Sequence, residues 1–577
     1  MDLTREVPVF DRRSPAGEQP FTRIGGGSLG GKGAGLWFIH DRLLPELDAG
    51  AFAGFDIAVP SLTVVASGVY STFVERNGLE SLIEDPPSDA RLAHAFLRGE
   101  LPAEFAGDLR GLIRRVHRPL AVRSSSRLED ALDHPFAGMY ATKMIPNGEF
   151  DEDARFRRLE EAIKLVWAST CFSDARAYRR AAGVEDAGEA MAVVVQEVVG
   201  QRAGDRFYPC VSGVARSFNH YPTGHGRGED GVVSLALGLG KTIVDGGRSW
   251  TYCPAYPKAP PPFNSIRDLL GATQTRFWAV HMGEPPLPDP LRETECMVEV
   301  ELAAAEADGA LGPLVSTYDA ASDRLDPGCS GSGPRALTFA PLIGSRLIPF
   351  NDLLRHVMDR MRQALDAHVE VEFALRLHRQ DIYPARLGLL QVRPMRGLEA
   401  TETVEQDELR APGVVVASEL TLGNGSVDDI EDIVFLPPDR FDQSETHRMA
   451  AELTGINNRL VAEGRRYLLI GFGRWGTSDA WLGVPVTWGQ ISGAAVIVEA
   501  TLPGVSPDMS QGSHFFHNVL GNRVLYLSVP HQGPHPIDWD WLGRQPVMTA
   551  TDHVVHARCE RPIRVRVDGV NRRGLVE

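Results

Sequence analysis

Positive charge is in short supply: 59 Lys and Arg stand against 76 Asp and Glu, a formal net charge of -17. A general nucleic-acid binder neutralises phosphates with Lys and Arg, so this balance argues against one, and an anionic ligand would need a local basic pocket. Cysteine is also sparse. Its six residues, Cys171, Cys210, Cys253, Cys296, Cys329 and Cys559, form no C-x-x-C pair, which excludes the usual zinc spacing and a disulfide framework. No uninterrupted apolar run is long enough to cross a bilayer, and the start Met1-Asp2-Leu3-Thr4-Arg5-Glu6 lacks a basic segment followed by an apolar core. The expectation is a cytoplasmic protein with no membrane and no nucleic-acid partner.

What is present suits a folded chain of two or three domains: 577 residues, 43% hydrophobic and 23% charged. The most informative stretch runs from Val369 to Pro394. In Val369-Glu370-Val371-Glu372-Phe373-Ala374-Leu375 a period of two buries Val369, Val371 and Phe373 and turns both glutamates to the other face. Leu389-Leu390-Gln391-Val392-Arg393-Pro394 likewise projects Gln391 and Arg393 to one side, and the polar connection permits an antiparallel pair. If the faces coincide, Glu370, Glu372, Gln391 and Arg393 converge. Hard oxygen ligands beside a guanidinium suit Mg2+ and a polyphosphate; a solvated charged hairpin is the alternative.

Upstream, Ile24-Gly25-Gly26-Gly27-Ser28-Leu29-Gly30-Gly31-Lys32-Gly33-Ala34-Gly35 is a glycine loop with one lysine, running into a helix predicted at Leu36 to Leu44. Its G-x-G-x-x-G spacing lacks a preceding apolar strand, and Gly33 stands where a P-loop needs Ser or Thr. Gly240-Lys241-Thr242 mimics the tail of a P-loop, but Leu235 occupies the place of its first glycine, so that reading is discarded too. Strands are predicted at Leu120 to Val122, ending in Arg123 and three serines, and at Met191 to Val199, with Gln196 and Glu197 near its end. Helices are predicted at Ala154 to Ser169 and about Asn351 to Ala367. Prolines accumulate from Cys253 to Pro290, suggesting a long surface excursion. The acidic run Thr401 to Glu408 reads as a linker, with a boundary near residue 400. Beyond it a strand is predicted at Val414 to Ala417, a helix at Glu445 to Glu463, and strands at Tyr467 to Ile470, Ala494 to Glu499 and Val524 to Ser528.

Gly31-Lys32-Gly33-Ala34, Val122-Arg123-Ser124-Ser125 with Glu129-Asp130, Phe136-Ala137-Gly138 with Thr142, Ser212-Gly213-Val214-Ala215, Gly238-Leu239-Gly240, Val371-Glu372-Phe373-Ala374 and Leu390-Gln391-Val392-Arg393-Pro394 occur in that order. Residues 20 to 397 thereby resemble the nucleotide-binding domain of the pyruvate phosphate dikinase and phosphoenolpyruvate synthase family. The resemblance implies an α+β chain: a two-lobed ATP-grasp domain, residues 1–200 and 201–400, followed by a smaller α+β domain at 411–577. It implies that Lys32, Arg123 and Arg393 hold the phosphates of ATP, that the turn at Ala137, Gly138 and Thr142 covers them, and that Gln196 and Glu197 sit at an adenine hinge. Glu372 and Gln391, with Glu370 as a further candidate, would bind Mg2+. Two departures stand beside it: no room for the family's pyruvate-binding barrel, and no Gly-Gly-x-x-x-His sequence.

The function implied is an ATP-dependent, dikinase-like phosphotransferase. Gly512-Ser513-His514 echoes the family's Gly-x-x-Ser-His pattern, which makes His514 a candidate phosphoacceptor, since a neutral imidazole oriented by a neighbour is a nucleophile. A second reading transfers phosphate directly to a small molecule or protein, with Arg474, Asp479 and His517 orienting the acceptor. A third is a nucleotide-sensing module without turnover.

Overall fold

The computed structural model describes the chain apart from residues 1–5, 16–17, 48–51, 53, 128–137, 182–189, 221, 223–225, 260–264, 285, 346–348, 378–384, 396–401, 478, 504–514, 516–518 and 520–523. The fold is mixed α and β. Among the described residues no helix is long and apolar enough to cross a membrane.

The β-rich run Val369–Arg376 and its partner Ala385–Pro394 form the antiparallel pair that the alternation predicts, with Glu370 opposite Arg393 and Glu372 opposite Gln391. They are central strands of a six-stranded sheet, between Val211–Arg216 on one side and Phe55–Ala58 on the other. A second sheet of five strands orders Phe21–Ile24, Leu62–Val65, Ala192–Glu197, Leu120–Ser125 and Thr142–Ile145. The helix Glu152–Ser169 packs over it with Leu159, Ile163 and Val166 fully buried, the face that a 3.6 period selects. The helix Phe350–Leu365 buries Leu353, Leu354, Val357, Met358 and Met361 against the first sheet.

Three sequence expectations are corrected here. The helix expected from Leu36 begins at Gly30, so Lys32 stands in its first turn. The reason is close packing: a Cβ on Gly30 would lie 1.7 Å from the Ser125 carbonyl oxygen, so only glycine lets the helix start against this strand. A strand does precede the glycines, Phe21–Ile24, parallel to Leu62–Val65, although Thr22 and Arg23 make it only half apolar. The next strand over is antiparallel, so the sheet still differs from a dinucleotide-binding one. The proline-rich excursion contains the strand Arg276–His281, whose Phe277, Ala279 and Val280 are buried, because its apolar residues outweigh the breakers on either side.

The last part of the chain builds its own sheet. Gly425–Phe435, Tyr467–Phe472, Ala494–Ala500 and Leu525–Val529 run parallel, flanked by the long antiparallel strand Val555–Asp568. The helix Thr446–Ala462 buries Met449, Leu453, Ile456 and Leu460 against it. This sheet does not stand apart from the rest. Trp488 meets Tyr178 of the helix Ser173–Ala181, ring centroids 6.2 Å apart, and one continuous apolar cluster joins the five-stranded sheet to the last one. None of the six cysteines forms a disulfide; Cys329 is exposed and Cys253 half-buried, and the other four are buried.

Candidate functional site

A cavity of about 250 Å³ opens between the five-stranded and six-stranded sheets, and its walls include Lys32, Arg123, Glu372, Gln391 and Arg393. Each is delivered by a different local cause. The Lys32 ammonium, on the first turn of the glycine helix, donates to the Ser124 carbonyl at 2.9 Å. Arg123 ends the buried strand Leu120–Ser125 and crosses the cleft: its guanidinium donates to the Leu390 carbonyl at 2.9 Å, to Gln391 Oε1 at 3.1 Å and to Glu372 Oε2 at 3.4 Å. Arg393 Nη2 donates to Glu372 Oε1 at 2.7 Å. One arginine from each sheet thus shares the Glu372 carboxylate.

Glu370 lies deeper. Arg216, from the neighbouring strand, donates to its Oε2 through Nε at 2.7 Å, and Arg393 Nε stands 3.4 Å from Oε1. Both Glu370 and Arg216 are 2% exposed. A charge so buried persists only where it is paired, and here the pair fixes the root of Arg393. The alternation pattern puts Glu370 on the cleft face; nothing in its own strand announces Arg216, which arrives from 154 residues away.

Part of the cavity wall is apolar, with Met144, Val198, Val199, Leu239 and Met297. Gln196 and Glu197 line the cavity as well; Gln196 Oε1 accepts from Arg123 at 3.4 Å, and its amide nitrogen is buried with no hydrogen-bond partner among the described residues. A flat heterocycle with acceptor nitrogens would satisfy that donor. Burial raises the Glu197 carboxyl above its ordinary range, and Arg118 and Arg386 oppose that shift. Gly138, in a left-handed conformation at φ +70, and Thr142, paired in register with Arg123, also reach the cavity. Ala137 and His514 lie outside the described residues, as does His517.

Sequence reading missed part of the wall. The turn Gly238-Leu239-Gly240 leads into the short helix Lys241–Val244, and Lys241 pairs with Asp245 at 2.8 Å and Glu293 at 3.2 Å on the cavity wall. Burial works to lower the Lys241 ammonium, but the two carboxylates outweigh it and hold it above its usual value. The signal was the glycine turn itself; Glu293 comes just after the proline-rich stretch, where no motif marks it.

Of the C-terminal candidates, Arg474 donates through Nη1 to the Gly246 carbonyl at 2.8 Å, one residue beyond Asp245 on the cavity wall. Asp479 spends its carboxylate on a local turn, accepting from the Trp481 amide at 3.0 Å. Beside Arg474 sits a residue that the sequence did not flag, Glu499, at the carboxyl end of its parallel strand and hydrogen-bonded by the Tyr526 hydroxyl. Burial drives its carboxyl up to about 7, with Tyr526 and Arg474 pulling the other way.

Between the ordinary pKa and 7 the folded chain holds a proton on Glu499 that the unfolded chain releases, so stability falls as pH rises through that window and levels off above it. The expected size is about 3 kcal/mol. Urea midpoints of the wild type and Glu499→Gln at pH 5 and pH 8 check this: the wild type should lose that much more than the variant, and parallel losses would refute the coupling.

The family model for the pyruvate phosphate dikinase AMP/ATP-binding domain matches residues 27–411, two-thirds of the chain and the whole of the cavity wall. The chain belongs to this family. Its segment is 29% identical over 240 residues to a phosphoenolpyruvate synthase of Aeropyrum pernix, covering 38% of this chain and 25% of that protein. It is 29% identical over 233 residues to a rifampicin phosphotransferase of Streptomyces sviceus, covering 38% and 23%, and 27% identical over 190 residues to an uncharacterized phosphotransferase of Bacillus subtilis, covering 33% and 20%. The chain therefore spans about a quarter of the length of these family members.

Proposed function

We propose that the chain is an ATP-dependent phosphotransferase of ATP-grasp type, with lobes at about residues 1–200 and 201–400 closing on ATP and residues 411–577 supplying or binding the acceptor. The observation that carries this reading is the gathering of Lys32, Arg123, Glu372, Gln391 and Arg393 around one cavity whose wall is partly apolar. The chemistry asks for such a set, because phosphoryl transfer is accelerated mainly by positioning and by neutralising charge on phosphate oxygens. In this reading Lys32, Arg123 and Arg393 hold the phosphates, Gly138 and Thr142 cover them, and Gln196 and Glu197 meet the base.

Glu372 and Gln391 face each other in register and offer carboxylate and amide oxygens, the hard donors that Mg2+ takes. Two protein donors suffice for an ion that completes its shell with phosphate and water. Such an ion neutralises charge on the transferring phosphoryl oxygens when bound. Arg123 and Arg393, now spread over Glu372, would turn to phosphate oxygens as the nucleotide enters. Glu370 is assigned to positioning Arg393, because Arg216 already occupies its Oε2 and Arg393 stands beside its Oε1.

Arg474 against the wall of the nucleotide cavity supports an acceptor bound between the last domain and that cavity. Incubation with ATP labelled in the β and γ positions, followed by product analysis, tests the reading. AMP with inorganic phosphate and acid-labile label on the chain is expected for a histidine relay through His514; ADP with label on an added acceptor is expected for direct transfer. ATP bound tightly with neither product would leave a nucleotide-sensing module instead.

A further inference from the structure

A second cavity, of about 460 Å³, lies wholly outside the nucleotide site and shares no wall with it. It sits where Ser528, Val529 and Pro530 leave the parallel strand Leu525–Val529. The carboxyl ends of parallel strands are where open α/β sheets receive ligands, since the loops there diverge and leave a crevice. The rest of its wall comes from Ser418 and Glu419, from the segment Gly533-Pro534-His535, from the hairpin residues Asn571, Arg572 and Arg573, and from Gln406 of the stretch that joins the domains.

The electrostatics of this cavity are unlike those of the chain as a whole. His535 is 7% exposed; its Nε2 stands 3.4 Å from Glu419 Oε1, an oxygen that Gln406 also donates to. Arg573 is committed to the Val404 carbonyl at 3.2 Å. Arg572 is different. It is half-buried, yet it makes neither an ion pair nor a hydrogen bond with any described residue, on a protein carrying an excess of acids. Its backbone is left-handed at φ +59, a position in a hairpin loop that glycine or asparagine fills without strain. A strained backbone that holds a guanidinium without a partner at the mouth of a cavity is arranged for something that the chain itself does not provide.

We propose that this cavity binds a small organic anion, whose phosphate or carboxylate is taken by Arg572 and whose hydroxyl or amino donor is taken by Glu419. Arg572 supplies the forked donor that planar or tetrahedral oxyanions need, while His535, whose Nε2–H faces Glu419, presents Nδ1 as a further acceptor for the ligand's hydroxyl or amino donor. Because Gln406 contributes both to the wall and to the joining stretch, occupancy is felt where the last domain meets the rest of the chain.

Calorimetric titration of the full chain with inorganic phosphate, glycerol 3-phosphate and malate tests this, each against wild type and Arg572→Asn. The substitution removes the guanidinium but suits the left-handed backbone, so the variant folds at least as stably as the parent. Saturable binding of at least one probe is expected, weakened at least about tenfold in Arg572→Asn, while ATP binding is unchanged. Preference for the phosphate probes or for malate identifies the anion. Phosphate binding that Arg572→Asn leaves untouched belongs to the nucleotide cavity and overturns the proposal, as does the absence of saturable binding by all three probes.

Discussion

Replacing Glu372 by alanine is expected to lower kcat for ATP consumption about a thousandfold while leaving the apparent affinity for ATP nearly unchanged. The two effects separate because of what surrounds the carboxylate. Glu372 is the shared partner of Arg123 and Arg393 and one of the two oxygen donors assigned to the metal. Its loss removes a metal ligand, which matters most when charge develops on the transferring phosphoryl group. The same loss frees two guanidiniums that still attract a triphosphate, so ground-state binding is preserved. Arg123→Ala should show the opposite pattern, a raised KM, because it removes a cation from the ground state as well. Steady-state kinetics with both variants decide the matter: a kcat for Glu372→Ala within a few fold of the wild type would remove this carboxylate from the mechanism.

Gly30→Ala is expected to cost about 3 to 5 kcal/mol of stability, more than a typical surface change by a wide margin. The added methyl would stand 1.7 Å from the Ser125 carbonyl oxygen and 2.5 Å from its hydroxyl, at a backbone φ of +71. Neither neighbour is free to yield. Ser125 Oγ donates to the Leu29 carbonyl at 2.8 Å and accepts from the Gly33 amide at 2.9 Å, tying strand and helix together. Relief therefore requires the helix Gly30–Phe38 to move off the strand, carrying Lys32 away from Ser124. Gly26→Ala is the matched control, since nothing lies within 4 Å of its added Cβ. Urea unfolding should place the Gly26 variant within about 1 kcal/mol of the wild type. Equal midpoints for the two variants would show that the helix adjusts, contrary to the packing argued above.

The parts of this molecule that were legible from the chain are those governed by local rules. Alternation in Val369–Arg376 fixes which residues share the cleft face, and ordered motifs bring Lys32, Arg123, Gln391 and Arg393 into one account. The 3.6 period of Glu152–Ser169, Phe350–Leu365 and Thr446–Ala462 gives three helices within a few residues of their ends. What escaped depends on partners distant in sequence. Arg216 beneath Glu370, Glu293 beside Lys241 and Glu499 beside Tyr526 each meet through sheet order or loop docking that no short window contains. Composition also misled where two influences competed. Glycines between 30 and 35 suggest a loop, yet they sit in a helix, and it is at Gly30 that the strand beneath leaves no room for a side chain. Prolines around 260 and 288 suggest surface, yet Phe277 and Val280 between them are wholly buried.

The contact between Tyr178 and Trp488 changes how the molecule can be divided. Resemblance to the family ends at residue 411, but the apolar cluster that begins in the five-stranded sheet continues through this pair into the last one. Excising the family segment by itself would bare that seam to water and invite insolubility, and the remainder would inherit the matching wound. Where kinship stops and where cooperative folding stops are different places in this chain.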